Sequence, residues 1–187
     1  MERPAFNHPI SRLVLASSSP RRKELVASLG LSLPVSILSS DADESVPADW
    51  APSRIVEQLA LRKASATAEM LRQDGSRDNA LIVGADTIVV LDGEALGKPA
   101  DQADAAHMLG RLQGRSHEVY TGIACLRLDG GEAEIAHRVT KVWMKPLTKQ
   151  QVEGYIATGE PMDKAGHMAF RGLGQQLSIV LKAATLM

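Results

Sequence analysis

Three serines and three cations surround one proline near the start of the chain, in the segment Ser-Ser-Ser-Pro-Arg-Arg-Lys at 17–23. The apolar run 13–16 before it predicts a buried strand, and Ser19 and Pro20 suit an N-cap and a first helical position. A helix N-terminus has free backbone N–H groups and a partial positive charge. Hydroxyl groups and cations at such a turn predict a phosphate-binding site without the glycines of a P-loop. An ordinary capped helix with solvated charges fits the same residues.

One carboxylate lies inside an otherwise apolar stretch. Asp86 follows the run Leu-Ile-Val at 81–83 and precedes Ile-Val-Val at 88–90. A charge in such surroundings is costly to bury unless it is paired or binds a metal ion. Asp86 is therefore a candidate magnesium ligand or general base. A turn aspartate that caps a backbone group is the alternative.

Further charges stand alone on small-residue or apolar stretches. Lys63 lies one turn after Leu59 on a predicted helix, and Lys98 follows a Leu-Gly turn. Asp163 and Lys164 follow Pro161, and the acidic segment 41–44 contains Glu44, which has a carboxylate to offer a metal. The isolated Lys63, Lys98, Asp163 and Lys164 are each more often surface groups, so their weight comes from combination. For Asp41 and Asp43 a solvated loop is the alternative. The three central histidines lack metal-ligand spacing and are interpreted as structural or surface residues: His107, His117 and His137.

Strands alternate with helices in the first half of the chain, and a long hairpin comes late. The predicted strands are 13–16, 35–38, 80–91 and the two arms of a hairpin over 119–144, and the predicted helices begin at Pro20, Pro52, Asp101 and Thr148. Thr148 and Gln151 form a capping-box pattern, and Asp92-Gly93 is a hairpin signal. This order predicts an α/β fold with a mixed sheet.

Two details of these elements are specific enough to test. The stretch 80–91 is expected to be a strand pair or a bent strand that breaks at Gly84. The helix from Pro52 is expected to carry one apolar stripe, formed by Ile55, Leu59, Ala66 and Met70.

Composition limits the classes of protein. The 187 residues suit one domain, and 44% apolar residues suffice for a core. A formal net charge of −1 and 3% aromatic residues disfavour a general nucleic-acid binder. The single cysteine excludes a disulfide framework, and no run approaches the roughly 20 apolar residues of a membrane span. With residues 1–11 interpreted as a loose leader rather than a signal peptide, the expectation is a soluble cytoplasmic protein.

The motifs together resemble the Maf family of nucleotide pyrophosphatases. They occur in the family's order over about residues 12–166. The matching stretches are Leu-Ala-Ser-Ser-Ser-Pro-Arg-Arg at 15–22, Asp-Glu at 43–44, Leu-Ala at 59–60, Lys-Ala at 63–64, Gly-Ala-Asp-Thr at 84–87, Gly-Lys-Pro at 97–99, Tyr-Thr-Gly at 120–122 and Glu-Pro-Met-Asp-Lys-Ala-Gly at 160–166.

The resemblance implies one mixed α/β domain over 1–187 with a cleft between two lobes. It implies hydrolysis of a nucleoside triphosphate to the monophosphate and pyrophosphate with a divalent metal cation, Mg²⁺ or Mn²⁺. Asp86 would accept the proton of water, and Glu44 and Asp86 would hold the metal. The residues implied to bind substrate phosphates or charge are Ser17, Ser19, Arg21, Arg22, Lys63, Lys98, Asp163 and Lys164. A homodimer is also implied.

The base specificity is implied by two positions. The subclass acting on dTTP and UTP has Arg directly after the Ser-Pro pair and Thr after the catalytic Asp, and Arg21 and Thr87 match it. The 7-methyl-GTP subclass usually has an aromatic residue and a Gln at those places. A third discriminating residue of the family, a Gln in the tail, has no counterpart in 167–187.

The resemblance stops abruptly after Gly166. Moving the reading frame back by one base lets 167–171 read Ala-Tyr-Gly-Ile-Gln, and lets the rest of the tail include the Glu-Gly-Ser-Tyr segment that the family has there. The hypothesis is a one-base insertion or deletion near the Gly166 codon, and a genuinely divergent tail is the alternative. Such a change is expected to remove a strand and a terminal helix. Two other functions stay open: a non-catalytic nucleotide-binding regulator of cell division, and an impaired product of a frameshifted gene.

Overall fold

A computed structural model describes residues 9–130 and 133–159, and the backbone of 178–183. Its elements, in chain order, are β1 (Arg12–Ala16), α1 (Pro20–Ser28), β2 (Val35–Ile37), α2 (Pro52–Gln73), β3 (Ala80–Leu91), β4 (Glu94–Leu96), α3 (Gln102–Leu112), β5 (Ser116–Arg127), β6 (Glu134–Met144), α4 (Lys149–Ala157) and β7 (Ser178–Ala183). The described helices include none that is both long enough and apolar enough to span a membrane.

The strands form one mixed sheet. Its order is β2-β1-β3-β5-β6-β7, and β4 pairs with β3 beside this path. β1 runs parallel to both β2 and β3, whereas the β3–β4 and β6–β7 pairs are antiparallel. The predicted α/β fold with a mixed sheet is confirmed.

The chain divides into two compact units. The first unit comprises Met1–Trp50, Arg54–Asp86 and Gly122–Ala136. The second unit comprises Ala51–Ser53, Thr87–Thr121 and His137–Met187. The strands β3, β5 and β6 each contribute residues to both units.

Small residues build the core of the first unit. The residues of α2 in this core are Ala60, Ala64, Ala68 and Leu71, and they pack with residues of β1, β3 and β5. A Cβ atom added at Gly84 would lie 2.1 Å from the Ala60 carbonyl oxygen, and one at Gly122 would lie 2.3 Å from the Val56 carbonyl oxygen. The two strand glycines therefore let α2 approach the sheet closely.

Both specific expectations for these elements need correction. β3 continues from Ala80 to Leu91, so the break predicted at Gly84 is wrong, and the glycine serves the close approach of α2 instead. On α2, Ile55 and Leu59 are buried as expected, but Ala66 is only partly buried and Met70 is exposed. The buried face follows Ala60, Ala64, Ala68 and Leu71 because the sheet contacts the helix along the line that the glycines leave open.

The second unit has a core of larger side chains and well-capped helices. The core residues are Val89, Leu91, Leu96, Ala105, Leu109, Leu112, Val119, Val142, Met144, Tyr155 and Ile156. The predicted capping box of Thr148 and Gln151 is present, and Asp101 caps α3 by accepting a hydrogen bond from the Asp104 N–H at 2.8 Å. Asp92 and Gly93 both have positive φ in the β3–β4 turn, as the hairpin signal predicts.

The C-terminal tail from residue 160 is described only in part. Residues 160–177 and 184–187 lie outside the described residues, and so do the proposed start of the frame change and the candidates Asp163 and Lys164. The backbone of β7 pairs with β6, with Thr140 opposite Ala183 and Trp143 opposite Val180. A strand is therefore present at 178–183.

Candidate functional site

Asp86, Lys63 and Glu44 meet in the first unit. The Lys63 Nζ donates to Asp86 Oδ1 at 2.5 Å and lies 2.8 Å from Glu44 Oε1. The side chains of Lys63 and Asp86 are 17% and 12% exposed, whereas that of Glu44 is 59% exposed. One ammonium thus contacts two carboxylates, one buried and one facing water, and its charge offsets part of the cost of burying Asp86.

The close packing of α2 places Lys63 beside Asp86. Gly84 lies two residues before Asp86 on β3, and a Cβ there would meet Ala60 and Ala64 of the helix. Lys63 directly precedes Ala64, so the same helical turn that packs on Gly84 carries the ammonium to the carboxylate.

The serine turn after β1 is closed by Ser17. The buried Ser17 hydroxyl oxygen accepts a hydrogen bond from the Ser19 backbone N–H at 3.2 Å and from Arg22 Nη1 at 3.5 Å. Ser19 occupies the predicted N-cap position of α1, and Pro20 follows it. Within the described part of the chain, however, the Ser19 side chain makes no capping hydrogen bond. The turn is thus shaped by Ser17.

Arg22 lies in the electrostatic field of the two carboxylates. Burial lowers the pKa of the Arg22 guanidinium, and the charges of Asp86 and Glu44 oppose that shift while neighbouring Arg21 adds to it. We define the charged cluster as Arg22, Glu44, Lys63 and Asp86. This cluster combines two cations with two carboxylates. Arg21, which precedes Arg22 in the sequence, is exposed.

A loop at 41–45 brings Glu44 to this cluster, and residues that sequence reasoning passed over fix it. Arg62 Nη1 donates to the backbone carbonyls of Asp43 and Ser45 at 3.1 and 2.6 Å. The Asp43 carboxylate accepts from the Ser45 N–H at 2.9 Å and from its hydroxyl at 2.7 Å, which lowers the pKa of Asp43. An Asp two residues before a Ser is the signal for this turn, and it was interpreted only as a solvated loop.

Two sequence candidates belong to the second unit. Thr87 is partly buried, and its hydroxyl shares a hydrogen bond of 3.2 Å with that of Thr121, a partner that the sequence did not indicate. Lys98 is exposed in the segment after β4. The structure therefore brings together Ser17, Arg22, Glu44, Lys63 and Asp86, and gives Thr87 a hydroxyl neighbour.

Two further reactive side chains belong to β5. His117 is buried, and neither ring nitrogen has a hydrogen-bond partner among the described residues. Its burial lowers the pKa of the imidazole to about 4. Burial and, less strongly, the charge of Glu134 raise the pKa of the Cys125 thiol, as expected for an unreactive cysteine.

The donor set of the charged cluster fits one kind of metal ion. Glu44 and Asp86 supply oxygen ligands, which Mg²⁺ and Mn²⁺ prefer. The described residues include no group of three or more His, Cys, Asp or Glu side chains that would form a cage of protein ligands. Mg²⁺ is commonly held by one or two carboxylates together with substrate phosphates, so two carboxylates suffice for an ion that arrives with a nucleotide.

The chain thus combines a mixed α/β sheet with a paired Asp–Lys–Glu cluster and a serine–arginine turn. The family model described as Maf-like protein matches residues 12–181. The chain therefore belongs to the Maf-like protein family.

Relatives of known name agree with this assignment. The chain is 48% identical over 161 residues to the dTTP/UTP pyrophosphatase of Desulforamulus reducens, a match that covers 86% of this chain and 80% of the relative. It is 50% identical to the protein of the same name from Symbiobacterium thermophilum (87% and 79% covered) and 49% identical to that from Moorella thermoacetica (90% and 82% covered). A nucleoside-triphosphatase / dITP/XTP pyrophosphatase structure from Mycobacterium abscessus matches with a TM-score of 0.44 and 20% identity, covering 73% of this chain and 75% of that one. This last likeness is too distant to indicate a function.

Proposed function

We propose that this chain hydrolyses dTTP and UTP to the nucleoside monophosphate and pyrophosphate. The observation that supports it most is the buried Asp86, which accepts a hydrogen bond from Lys63 beside Glu44 and lies within the field of Arg22. Relatives close to 50% identical are named dTTP/UTP pyrophosphatase, which supports the choice of substrate.

In the proposed mechanism Asp86 is the proton acceptor. The oxygen of a water molecule forms a bond to phosphorus, and the phosphorus–oxygen bond that joins the α- and β-phosphates breaks. The proton of the water moves to the Asp86 carboxylate. The hydrogen bond from Lys63 fixes this carboxylate in place, and general-base catalysis by a positioned side chain contributes about 10²- to 10⁴-fold.

The proposed phosphate ligands surround the turn after β1. Ser17, Ser19, Arg21 and Arg22 supply hydroxyl, backbone N–H and guanidinium donors at the N-terminus of α1, where the helix dipole favours an anion. A divalent cation, Mg²⁺ or Mn²⁺, held by Glu44 and Asp86 would neutralise phosphate charge as it develops.

The remaining proposed roles extend beyond the charged cluster. Lys98, Asp163 and Lys164 are proposed to bind the triphosphate, and Arg21 and Thr87 to select the pyrimidine base. The hydroxyl of Thr121 keeps that of Thr87 oriented in this proposal. We also propose that the protein acts in the cytoplasm as a homodimer.

The tail is proposed to result from a one-base frame change near the codon for Gly166. The match of residues 12–181 to the family model ends within β7. Resequencing the gene tests the proposal, and a single unbroken reading frame through the codon for Met187 would contradict it. The protein encoded by the restored reading frame is the control for every activity measurement on this chain.

The activity test follows pyrophosphate release with Mg²⁺ or Mn²⁺ from UTP, dTTP, CTP, GTP and 7-methyl-GTP. Release from UTP and dTTP that Asp86→Asn abolishes is the expected result. Turnover only after the frame is restored would assign the activity to the family fold and identify this chain as an impaired member. Nucleotide binding without turnover in both versions would favour the non-catalytic regulator.

A further inference from the structure

Arg62 joins the Glu44 loop to α2. Its Nη1 donates to the carbonyl oxygens of Asp43 and Ser45, the residues on either side of Glu44. Lys63, the next residue of α2, contacts the Glu44 side chain itself. Two consecutive helical residues thus hold one loop residue, the first through the flanking backbone and the second through its carboxylate.

The segment that Arg62 holds is a closed turn. Asp43 accepts hydrogen bonds from both the backbone N–H and the hydroxyl of Ser45, so residues 43–45 are internally fixed. Because this turn is fixed, two hydrogen bonds to its carbonyls constrain the position of Glu44 as well. A guanidinium suits this task since its donors have a rigid planar geometry.

Trp50 restrains the same guanidinium. The Arg62 guanidinium carbon lies 5.8 Å from the centroid of the Trp50 ring, within the range of a cation–π contact. Arg54 lies over this ring at 4.4 Å, yet no hydrogen bond joins it to residues 43–45 among the residues that the structure describes. Arg54 therefore offers a matched control: it is an arginine of the same helix on the same ring, without a hold on the loop.

We propose that Arg62 is a positioning residue that holds Glu44 in the charged cluster and thereby sets the affinity of the site for its divalent cation. The proposal rests on the proposed function for its kinetic part only. Arg62 is not in the catalytic machinery, because it contacts the backbone on either side of Glu44 and acts through that residue.

Amide hydrogen exchange, measured without nucleotide, tests whether Arg62 fixes the loop at 41–45. In Arg62→Ala, exchange of the peptide that covers 41–46 is expected to rise at least several-fold, since the Ser45 N–H loses the support of a fixed turn. Arg54→Ala is expected to leave that peptide unchanged. Equal exchange in Arg62→Ala and the unaltered protein would overturn the proposal, whether or not the protein hydrolyses nucleotides.

The action through Glu44 is tested by a double-mutant cycle. Arg62→Ala is expected to raise the Mg²⁺ concentration for half-maximal UTP hydrolysis by about tenfold, with a smaller change in kcat, because two hydrogen bonds are lost. Arg62→Lys keeps a charged donor and should therefore retain part of the affinity for Mg²⁺. This variant replaces Arg62→Ala in the measurement if the alanine variant folds poorly. In the Glu44→Gln background the same change should have almost no further effect. Fully additive effects would show that Arg62 does not act through Glu44, and no hydrolysis by any version would reject the proposed function while the exchange result stands.

Discussion

The two units bury polar side chains in opposite ways. In the first unit the whole residue Asp86 is 8% exposed and is paired with Lys63. In the second unit the whole residue His117 is 3% exposed and has no hydrogen-bond partner among the described residues. A paired carboxylate keeps its charge when buried, but an unpaired imidazole avoids the cost of desolvation by staying neutral. The comparison separates two buried ionisable groups: one has a charged partner, and the other has no hydrogen-bond partner among the described residues.

Removal of the charge at Asp86 is expected to have the largest effect. Asp86→Asn keeps the shape of the side chain but cannot accept the proton, so we expect UTP hydrolysis to fall by about 10³-fold. Pyrophosphate release under saturating UTP measures the change. The matched control is Asp92→Asn, which alters an exposed ion pair with Arg115 at the end of the same strand and should retain most activity. Equal losses in the two variants would contradict a special role for Asp86.

A methyl group at Gly84 should disrupt the first unit by pushing α2 away from the sheet. A Cβ at 2.1 Å from a backbone oxygen cannot be accommodated by a rotamer change, so Gly84→Ala should lose about 3 kcal/mol of unfolding free energy. Chemical denaturation measures this loss. Gly110→Ala is the control, because that glycine lies in α3 with open space around its Cβ position and should gain up to about 1 kcal/mol from helix propensity. A stable Gly84→Ala variant would mean that the helix is not held as closely as described.

The buried imidazole of His117 predicts a pH dependence in the second unit. The unfolded chain takes up a proton on His117 near 6.5, whereas the folded chain takes it up only near 4. Stability from this group is therefore complete above pH 6.5 and is lost as the pH falls towards 4, by at most about 3 kcal/mol.

His117→Leu tests that dependence directly. The variant removes two buried nitrogens that have no hydrogen-bond partner among the described residues. It should therefore be at least as stable as the unaltered protein at pH 7 and should lose less stability between pH 7 and 5. Denaturation midpoints at the two pH values measure the difference. His107→Leu, which changes an exposed histidine of α3, is the control and should leave the pH dependence as it was. Parallel pH profiles for the unaltered protein and His117→Leu would be inconsistent with a buried neutral imidazole.

The smallest expected effect concerns the threonine pair. Thr121→Val removes the hydroxyl that shares a hydrogen bond with Thr87, which should cost about 1 kcal/mol of stability. A double-mutant cycle with Thr87→Val measures the coupling, and additive losses would show that the two hydroxyls do not act as a pair. If Thr87 also selects the base, the ratio of kcat/KM for UTP to that for CTP should change with Thr121→Val.

Sequence patterns predicted the features that depend on neighbouring residues. The Thr148–Gln151 capping box, the Asp92-Gly93 turn and the start of α1 at Pro20 are all set within a few residues, so their chemistry is visible in the sequence. Gly84 was misinterpreted because its role depends on a helix about 20 residues away, and a strand-breaking glycine looks the same in sequence as one that admits a helix. The predicted apolar stripe of α2 was wrong at Ala66 and Met70 because the buried face of this helix also depends on where the distant strand glycines admit it.

The candidate site was predictable as a set of residues but not as a geometry. The resemblance to the family selected Glu44, Lys63 and Asp86, which no spacing argument alone would connect, since Lys63 and Asp86 lie 23 positions apart. The supports were missed: Ser17 rather than Ser19 closes the serine turn, and Arg62 holds the Glu44 loop. Such contacts come from tertiary packing, which brings together residues that carry no distinctive local pattern.

The alanine face of α2 also affects how sequence change can alter this protein. Alanine has no side-chain rotamers to lose on folding, so Ala60, Ala64 and Ala68 pack against the sheet at almost no side-chain entropy cost. The same property leaves this face unable to adapt, because no side chain there can rearrange to absorb an added or missing group. A change in volume is then relieved by movement of the whole helix, which carries Lys63 with it. Variation along this face should therefore change stability and activity together, whereas variation at exposed positions of the helix other than Arg62 should change neither.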